Sequence, residues 1–163
     1  MDASFHRQHL ISILQLAYSG EKAAAFAYRG HWKASKDPAE RCRIAEIEED
    51  EWVHRKKVGE ILEALAAKPR WLRELALGIL GRVLGFFCHL SGWFLPMFFA
   101  GRLETQNVDE YQTAAVHAAA LGLQDFEREL LHMRDVEREH ELYFWGAIEK
   151  HRWLPWMKKI FKS

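Results

Sequence analysis

The stretch Asp50-Glu51-Trp52-Val53-His54 decides how this chain is read. Glu51 and His54 stand three apart, so on a helix both side chains leave the same face. A carboxylate and an imidazole on an apolar helix face are expensive to bury unless something pairs with them. The pattern returns near the far end of the chain as Glu137-Arg138-Glu139-His140. A lone glutamate precedes each pair, Glu21 before the first and Glu104 before the second.

The sequence around these residues reads as helix throughout. Proline occurs only at positions 38, 69, 96 and 155, Ala, Leu, Glu, Lys and Arg fill the stretches between, and no window alternates like a strand. A first helix is expected from about Ser4 to Lys33, with Leu10, Leu14, Ala17, Ala24, Ala25 and Tyr28 on the face that carries Glu21. Asp37-Pro38-Ala39-Glu40 is a restart signal, an N-cap aspartate followed by proline at the first helical position. The second helix then runs from Pro38 to about Ala67. The third is expected from the Gly92 to Pro96 region to Leu121, and the fourth from Gln124 to Lys150, with Gly122 ending the third.

A short turn makes the first two helices antiparallel neighbours. Glu21 and Glu51 lie at similar distances from it, about 24 and 21 Å at 1.5 Å per residue. Glu104 and Glu137 are likewise centred on the turn at residues 120 and 121. Two level-matched glutamates and two E-x-x-H pairs make up the ligand set of a carboxylate-bridged di-iron site inside a four-helix bundle. Carboxylates can bridge two irons, and each imidazole supplies one neutral nitrogen while leaving coordination positions open for dioxygen.

Blander readings exist for each residue. A single E-x-x-H is common on a solvated helix face, and buried acids can pair with Arg and Lys. Asp50 reads equally as a surface charge or as an acceptor that holds a ligand histidine from the opposite helix. Glu48, one turn before Glu51, could compete as a ligand, but Glu48, Glu49, Glu139 and Glu141 read better as solvated. Tyr28 and Tyr111, each seven residues after a lone glutamate, are core aromatics or site-lining residues. His31, His117 and His132 read as surface or satisfied histidines.

The chain as a whole sets bounds. At 163 residues it is one domain with room for a substantial core. Lys plus Arg equals Asp plus Glu, so nucleic acid is not an expected partner. Cys42 and Cys88 form no C-x-x-C motif, and a reducing compartment is the default. The apolar run from Leu10 to Leu16 is interrupted by Ser12 and Gln15, so export is not expected.

Residues 70 to 92 are rich in Leu, Gly and aromatics, and carry the chain from the second helix to the third. The run Val83 to Gly101 lacks Asp, Glu, Lys and Arg and is long enough to span a bilayer. It is not read as spanning, because Glu104 has to reach the bundle centre and the residues before it must already belong to the third helix. An element lying in one leaflet fits better, or one packed on its own bundle or in a homodimer interface. The tail, residues 153–163, carries Trp153, Trp156, Met157, Ile160 and Phe161 beside Lys158, Lys159 and Lys162. It reads as a basic amphipathic segment set apart from the bundle at 1–152. The expectation from these features is a cytoplasmic protein, peripheral to a membrane.

The six residues, the apolar crossover, Gly20-Glu21 followed by Tyr28, Tyr111 after Glu104, and Arg134-Asp135-Val136-Glu137-Arg138-Glu139-His140 resemble the demethoxyubiquinone hydroxylases, ferritin-like di-iron proteins. The resemblance spans roughly Leu10 to Glu149. It implies an all-α, ferritin-like four-helix bundle with a crossover helix. It also implies hydroxylation of a prenylated quinone ring at a membrane surface, with dioxygen as co-substrate and electrons ultimately from a nicotinamide cofactor. Glu21, Glu51, His54, Glu104, Glu137 and His140 would hold two iron ions, and Tyr111 would line the site. The quinone ring is expected to enter between the crossover and the bundle, near Tyr111. Glu110 stands where the family usually has histidine. A ferritin- or rubrerythrin-like iron-binding or peroxide-handling protein is the alternative, although no C-x-x-C pair is present for a rubredoxin-type iron. A metal-free helical interaction protein is a third reading.

Overall fold

The computed structural model describes residues 2–161 and contains no strand among them. Six helices follow in order: α1 (Ala3–Ala34), α2 (Pro38–Ala64), α3 (Trp71–Cys88), α4 (Phe94–Ala120), α5 (Gln124–Ile148) and α6 (Leu154–Phe161). The four long ones, α1, α2, α4 and α5, form the ferritin-like bundle. The restart signal works as read, since the Asp37 carboxylate accepts from the Ala39 and Glu40 amides at the head of α2.

Helix α2 stops three residues before the expected end. Ala66 adopts a left-handed φ of 51°, and the Ala67 amide returns to the Leu62 carbonyl. An alanine there gave no sequence signal, because that position usually carries glycine. Gly122 does the same job after α4 with φ 71°. Its neighbour Leu123 donates to the Ala118 carbonyl at 3.0 Å.

Two apolar layers bracket the bundle centre. One contains Leu10, Leu14, Val58, Leu62, Tyr111, Leu130 and Met133. The other contains Tyr28, Ile44, Ile47, Met97, Phe98, Phe144 and Ile148. The E-x-x-H residues lie between these layers, so the core seals them from both ends.

Helix α3 is the crossover and lies along α1. Gly78, Gly81 and Gly85 form its buried face. A Cβ on Gly30 or Gly81 would overlap the backbone of the facing helix, and one on Gly85 would stand 2.7 Å from the Phe26 carbonyl. Only glycine permits this approach. Glu74 adds a polar pin, accepting from Arg55 at 3.1 and 2.5 Å and from Lys22 at 3.5 Å. With its small residues turned inward, α3 turns its large ones outward. Trp71, Leu72, Leu75, Ile79, Phe86 and Phe87 are all more than half exposed.

The uncharged run from Val83 to Gly101 is broken by a turn between α3 and α4, in which Gly92 has φ 76°. No helix among the described residues is long and apolar enough to cross a membrane. The tail packs as α6 through buried Leu154 and Met157, with Phe161 against Phe98 and Phe99. Arg102 Nη1 donates to the Phe161 carbonyl at 3.0 Å. Lys162 and Ser163, part of the basic tail as read from sequence, lie outside the described residues.

Candidate metal centre

The helix faces that carry Glu21, Glu51, His54, Glu104, Glu137 and His140 converge in the middle of the bundle. All six side chains are buried. Ligand atoms of Glu51, Glu104, Glu137 and His140 gather within 4.8 Å of one another, as do those of Glu21, His54 and Glu137. Glu137 belongs to both groups, which is the arrangement a residue bridging two ions would need.

Their polar atoms are conspicuously unpaired. Both carboxylate oxygens of Glu51, one oxygen each of Glu21 and Glu137, and His140 Nδ1 are buried with no hydrogen-bond partner. Folded proteins satisfy nearly all such atoms, so this cluster of unpaired ligand atoms is able to hold a metal ion. His140 Nδ1 is 3.4 Å from Glu137 Oε2, in contact but not in hydrogen-bond alignment. The donor set, oxygen-rich with two imidazoles, suits a transition metal such as iron or manganese better than magnesium or calcium.

Surrounding residues hold this set in place. Asp50 Oδ2 lies 3.1 Å from His140 Nε2 across the bundle, so the ring presents Nδ1 to the centre. Of the two readings of Asp50, the structure selects the one in which it orients a histidine. His54 Nδ1 lies 2.8 Å from Glu137 Oε1. The two halves are not identical: the residue before Glu137 is Val136, which cannot do for His54 what Asp50 does for His140.

The two tyrosines exchange partners across the bundle. Tyr28 on α1 donates to Glu104 on α4, and Tyr111 on α4 donates to Glu21 on α1. Asn107 Nδ2 donates to the other Glu104 oxygen at 3.1 Å. The sequence reading passed over Asn107, although it stands three residues after Glu104, one helical turn away.

Two flanking acids depart from expectation. Glu48 is buried and accepts from Arg29 and Trp32 at 2.7 Å and from Trp52 at 3.4 Å. It is neither solvated nor a ligand candidate. Glu141 is also buried, bound by Thr105 at 2.6 Å and by Arg138. Both flank their E-x-x-H pairs on the core side, where a helix turn carries them inward. Glu49 and Glu139 are exposed as expected.

Burial and mutual repulsion dominate the electrostatics of the cluster. Burial raises the Glu51 carboxyl well above its usual range, and neighbouring Glu21 and Glu137 raise it further. Burial and Glu137 do the same to Glu104. Burial also raises Glu21, against the lowering contacts of Glu51 and Tyr111. At Glu137 burial again favours the neutral acid, but His140 and His54 outweigh it and hold the group below its usual range. Burial would lower both imidazoles; the Glu137 carboxylate at His54, and Asp50 with Glu137 at His140, raise them instead. Metal-free, the cluster keeps its charge down with protons where a metal would bring positive charge.

An apolar pocket of about 390 Å³ opens beside this centre. It lies between α1, the end of α3 and the start of α4, and its wall includes Tyr28, His31, Leu84, Phe87, Phe99 and Leu103. This pocket under the crossover borders Tyr28, not Tyr111. Beside Tyr111 there is a smaller hollow of about 90 Å³ between α1 and α4, reaching Glu21 and sharing Leu103. His31, read as a surface or satisfied residue, is buried in the pocket wall, and burial lowers its pKa to about 4.

A model of the family described as ubiquinone biosynthesis protein COQ7 matches residues 8–117. The chain belongs to that family. The COQ7 family is the demethoxyubiquinone hydroxylase family, which places this chain among the hydroxylases of ubiquinone biosynthesis. The matched span carries Glu21, Glu51, His54, Glu104 and Tyr111, while Glu137 and His140 on α5 lie beyond it. Those two residues join the buried cluster by geometry. No curated protein and no solved structure matches the chain.

Proposed function

We propose that this COQ7-family protein is a di-iron monooxygenase that hydroxylates a quinone or similar apolar ring at a membrane surface. The observation that carries the reading is the buried set of six side chains with unpaired ligand atoms, joined through Glu137, next to an apolar pocket. Glu21 and His54 would hold one ion and Glu51, Glu104 and His140 the other, with Glu137 belonging to both groups. When bound, two irons supply the means to activate dioxygen. Overall, one C–H bond becomes C–OH, one oxygen atom leaves as water, and two electrons and two protons are consumed. The electrons are expected ultimately from a nicotinamide cofactor.

The chain's own residues have defined parts. Tyr111 and Tyr28 keep their protons, since burial and then the Glu21 carboxylate for Tyr111, or the Glu104 carboxylate for Tyr28, raise both hydroxyls well above their usual range. Each therefore remains a donor that fixes a carboxylate rotamer. Asp50 fixes the ring of His140. The apolar layers above and below the cluster exclude water. The pocket between α3 and α4 offers almost purely apolar walls, suited to a prenyl chain or an unsubstituted ring edge.

Membrane docking is proposed for the outward face of α3 and for α6. Trp71, Phe86, Phe87, Trp153 and Trp156 stand exposed near Arg70, Arg73, Lys158 and Lys159, an interfacial composition. A homodimer would cover the same face. Binding to anionic vesicles that weakens with salt, and weakens further in Phe86→Ser/Phe87→Ser, separates the two.

The activity test is a single turnover. Iron-loaded, chemically reduced protein receives labelled dioxygen and a short-chain methoxyquinone, and the product should carry one labelled oxygen. Consumption of dioxygen without labelled product would favour ferritin- or rubrerythrin-like iron or peroxide handling, a role that leaves the apolar pocket without a use.

A further inference from the structure

A second group of imidazoles lies outside the buried cluster. His6 and His9 stand on the first turns of α1, and His117 stands on the last turn of α4. His6 Nδ1 and His117 Nδ1 are 2.9 Å apart. The His117 ring lies 5.1 Å from the ring of His6 and 5.4 Å from that of His9, centre to centre. The ion pairs that involve histidine among the described residues all belong to the buried cluster. The three rings at the bundle end therefore have one another as partners and no acid.

The His6–His117 distance suits a shared cation. In a tetrahedral zinc site with Zn–N of about 2.0–2.1 Å, two ligating nitrogens stand about 3.3 Å apart and their ring centres about 5 Å apart. The His6–His117 pair needs to open by a few tenths of an ångström to admit the ion. His6 and His117 are half-buried and already face each other, whereas exposed His9, three residues after His6 on the same helix, stacks on His117 and packs against Phe5 at 4.1 Å, so its ring has to turn to bring a nitrogen to the ion. Three imidazoles without a carboxylate select a borderline divalent ion over magnesium or calcium.

We propose that His6, His9 and His117 form a second metal site, at the bundle surface, that takes one Zn²⁺ and clamps the start of α1 to the end of α4. The fourth coordination position is left to water. The site is independent of the di-iron reading, because it shares no residue with the buried cluster.

Calorimetric titration with Zn²⁺ alone tests it, on the iron-loaded wild type and on Glu137→Gln without iron. Both should take up one zinc ion per chain at the imidazole site. His117→Ala and His6→Ala should lose that ion, and His9→Ala should bind it more weakly, all with iron content unchanged. In nuclear magnetic resonance spectra, the ring signals of His6 and His117 should shift on adding zinc, while those of exposed His132 stay still. If iron fails to load, the comparison of wild type with His117→Ala still reads the surface site as a difference of one zinc ion. Three results overturn the proposal: no saturable zinc uptake in the iron-loaded protein, uptake that survives His117→Ala, or an affinity unchanged in His9→Ala.

Discussion

Replacing Glu51 by Met should stabilise the metal-free protein, while replacing Glu137 by Met should destabilise it. The two residues sit at the same depth in the same cluster, fully excluded from solvent. Neither oxygen of Glu51 has a partner, and the group is surrounded by other carboxyls. An unsatisfied buried polar group costs about 1–3 kcal/mol, and an apolar side chain of similar length removes that loss. Glu137 differs because His54 lies 2.8 Å from one of its oxygens and His140 lies 3.4 Å from the other. Its removal strands two imidazoles and should lose about 3–5 kcal/mol, as when one partner of a buried pair is deleted. Urea denaturation in the presence of a chelator measures both. A chain of this size shifts its melting point by about 2–4 °C per kcal/mol, so Glu51→Met should melt a few degrees higher. Equal destabilisation by both substitutions would refute the reasoning, because the cluster would then be a self-satisfied polar network rather than a site kept at the expense of stability.

Three further outcomes follow from the same geometry. The metal-free protein should lose stability as pH rises above 6.5: Glu21, Glu51, Glu104, His54 and His140 all have raised folded values, so their contribution fades upward. His31, depressed to about 4, acts only below its ordinary 6.5 and leaves that window clear. Iron loading should flatten or reverse the slope, since the metal takes the place of those protons, and a metal-free melting point that climbs with pH contradicts this account. Asp50→Asn should weaken iron binding about 10–100-fold with little change in fold, read by competition with a chelator. Gly30→Ala should destabilise by about 1–3 kcal/mol through overlap with the Gly85 backbone, despite the roughly 1 kcal/mol helix preference of alanine. Unchanged denaturation of Gly30→Ala would mean that α3 does not lie so close.

Much of this was legible because periodicity and spacing translate directly into geometry. E-x-x-H fixes two candidate ligands on one helix face, and equal distances from a short turn fix the level of Glu21 against Glu51 and of Glu104 against Glu137. Contacts between helices distant in sequence were not legible. That Tyr28 serves Glu104 rather than its own Glu21 depends on how α1 faces α4, which no local pattern records. The burial of Glu48 depends on Arg29 and Trp32 from another helix. The glycines at 78, 81 and 85 were visible as composition, but their meaning as a contact face appears only when α1 lies against them. His6 and His117, separated by 111 positions, meet for the same reason.

The central claim is that six side chains hold two irons, and the metal content of the protein tests it most directly. Purified protein is stripped with a chelator, loaded with ferrous iron without oxygen, and desalted before iron and protein are quantified. The account predicts about two irons per folded chain, falling sharply in both Glu51→Ala and Glu137→Ala. Iron near zero in a protein that keeps its helical signal and cooperative unfolding would contradict it.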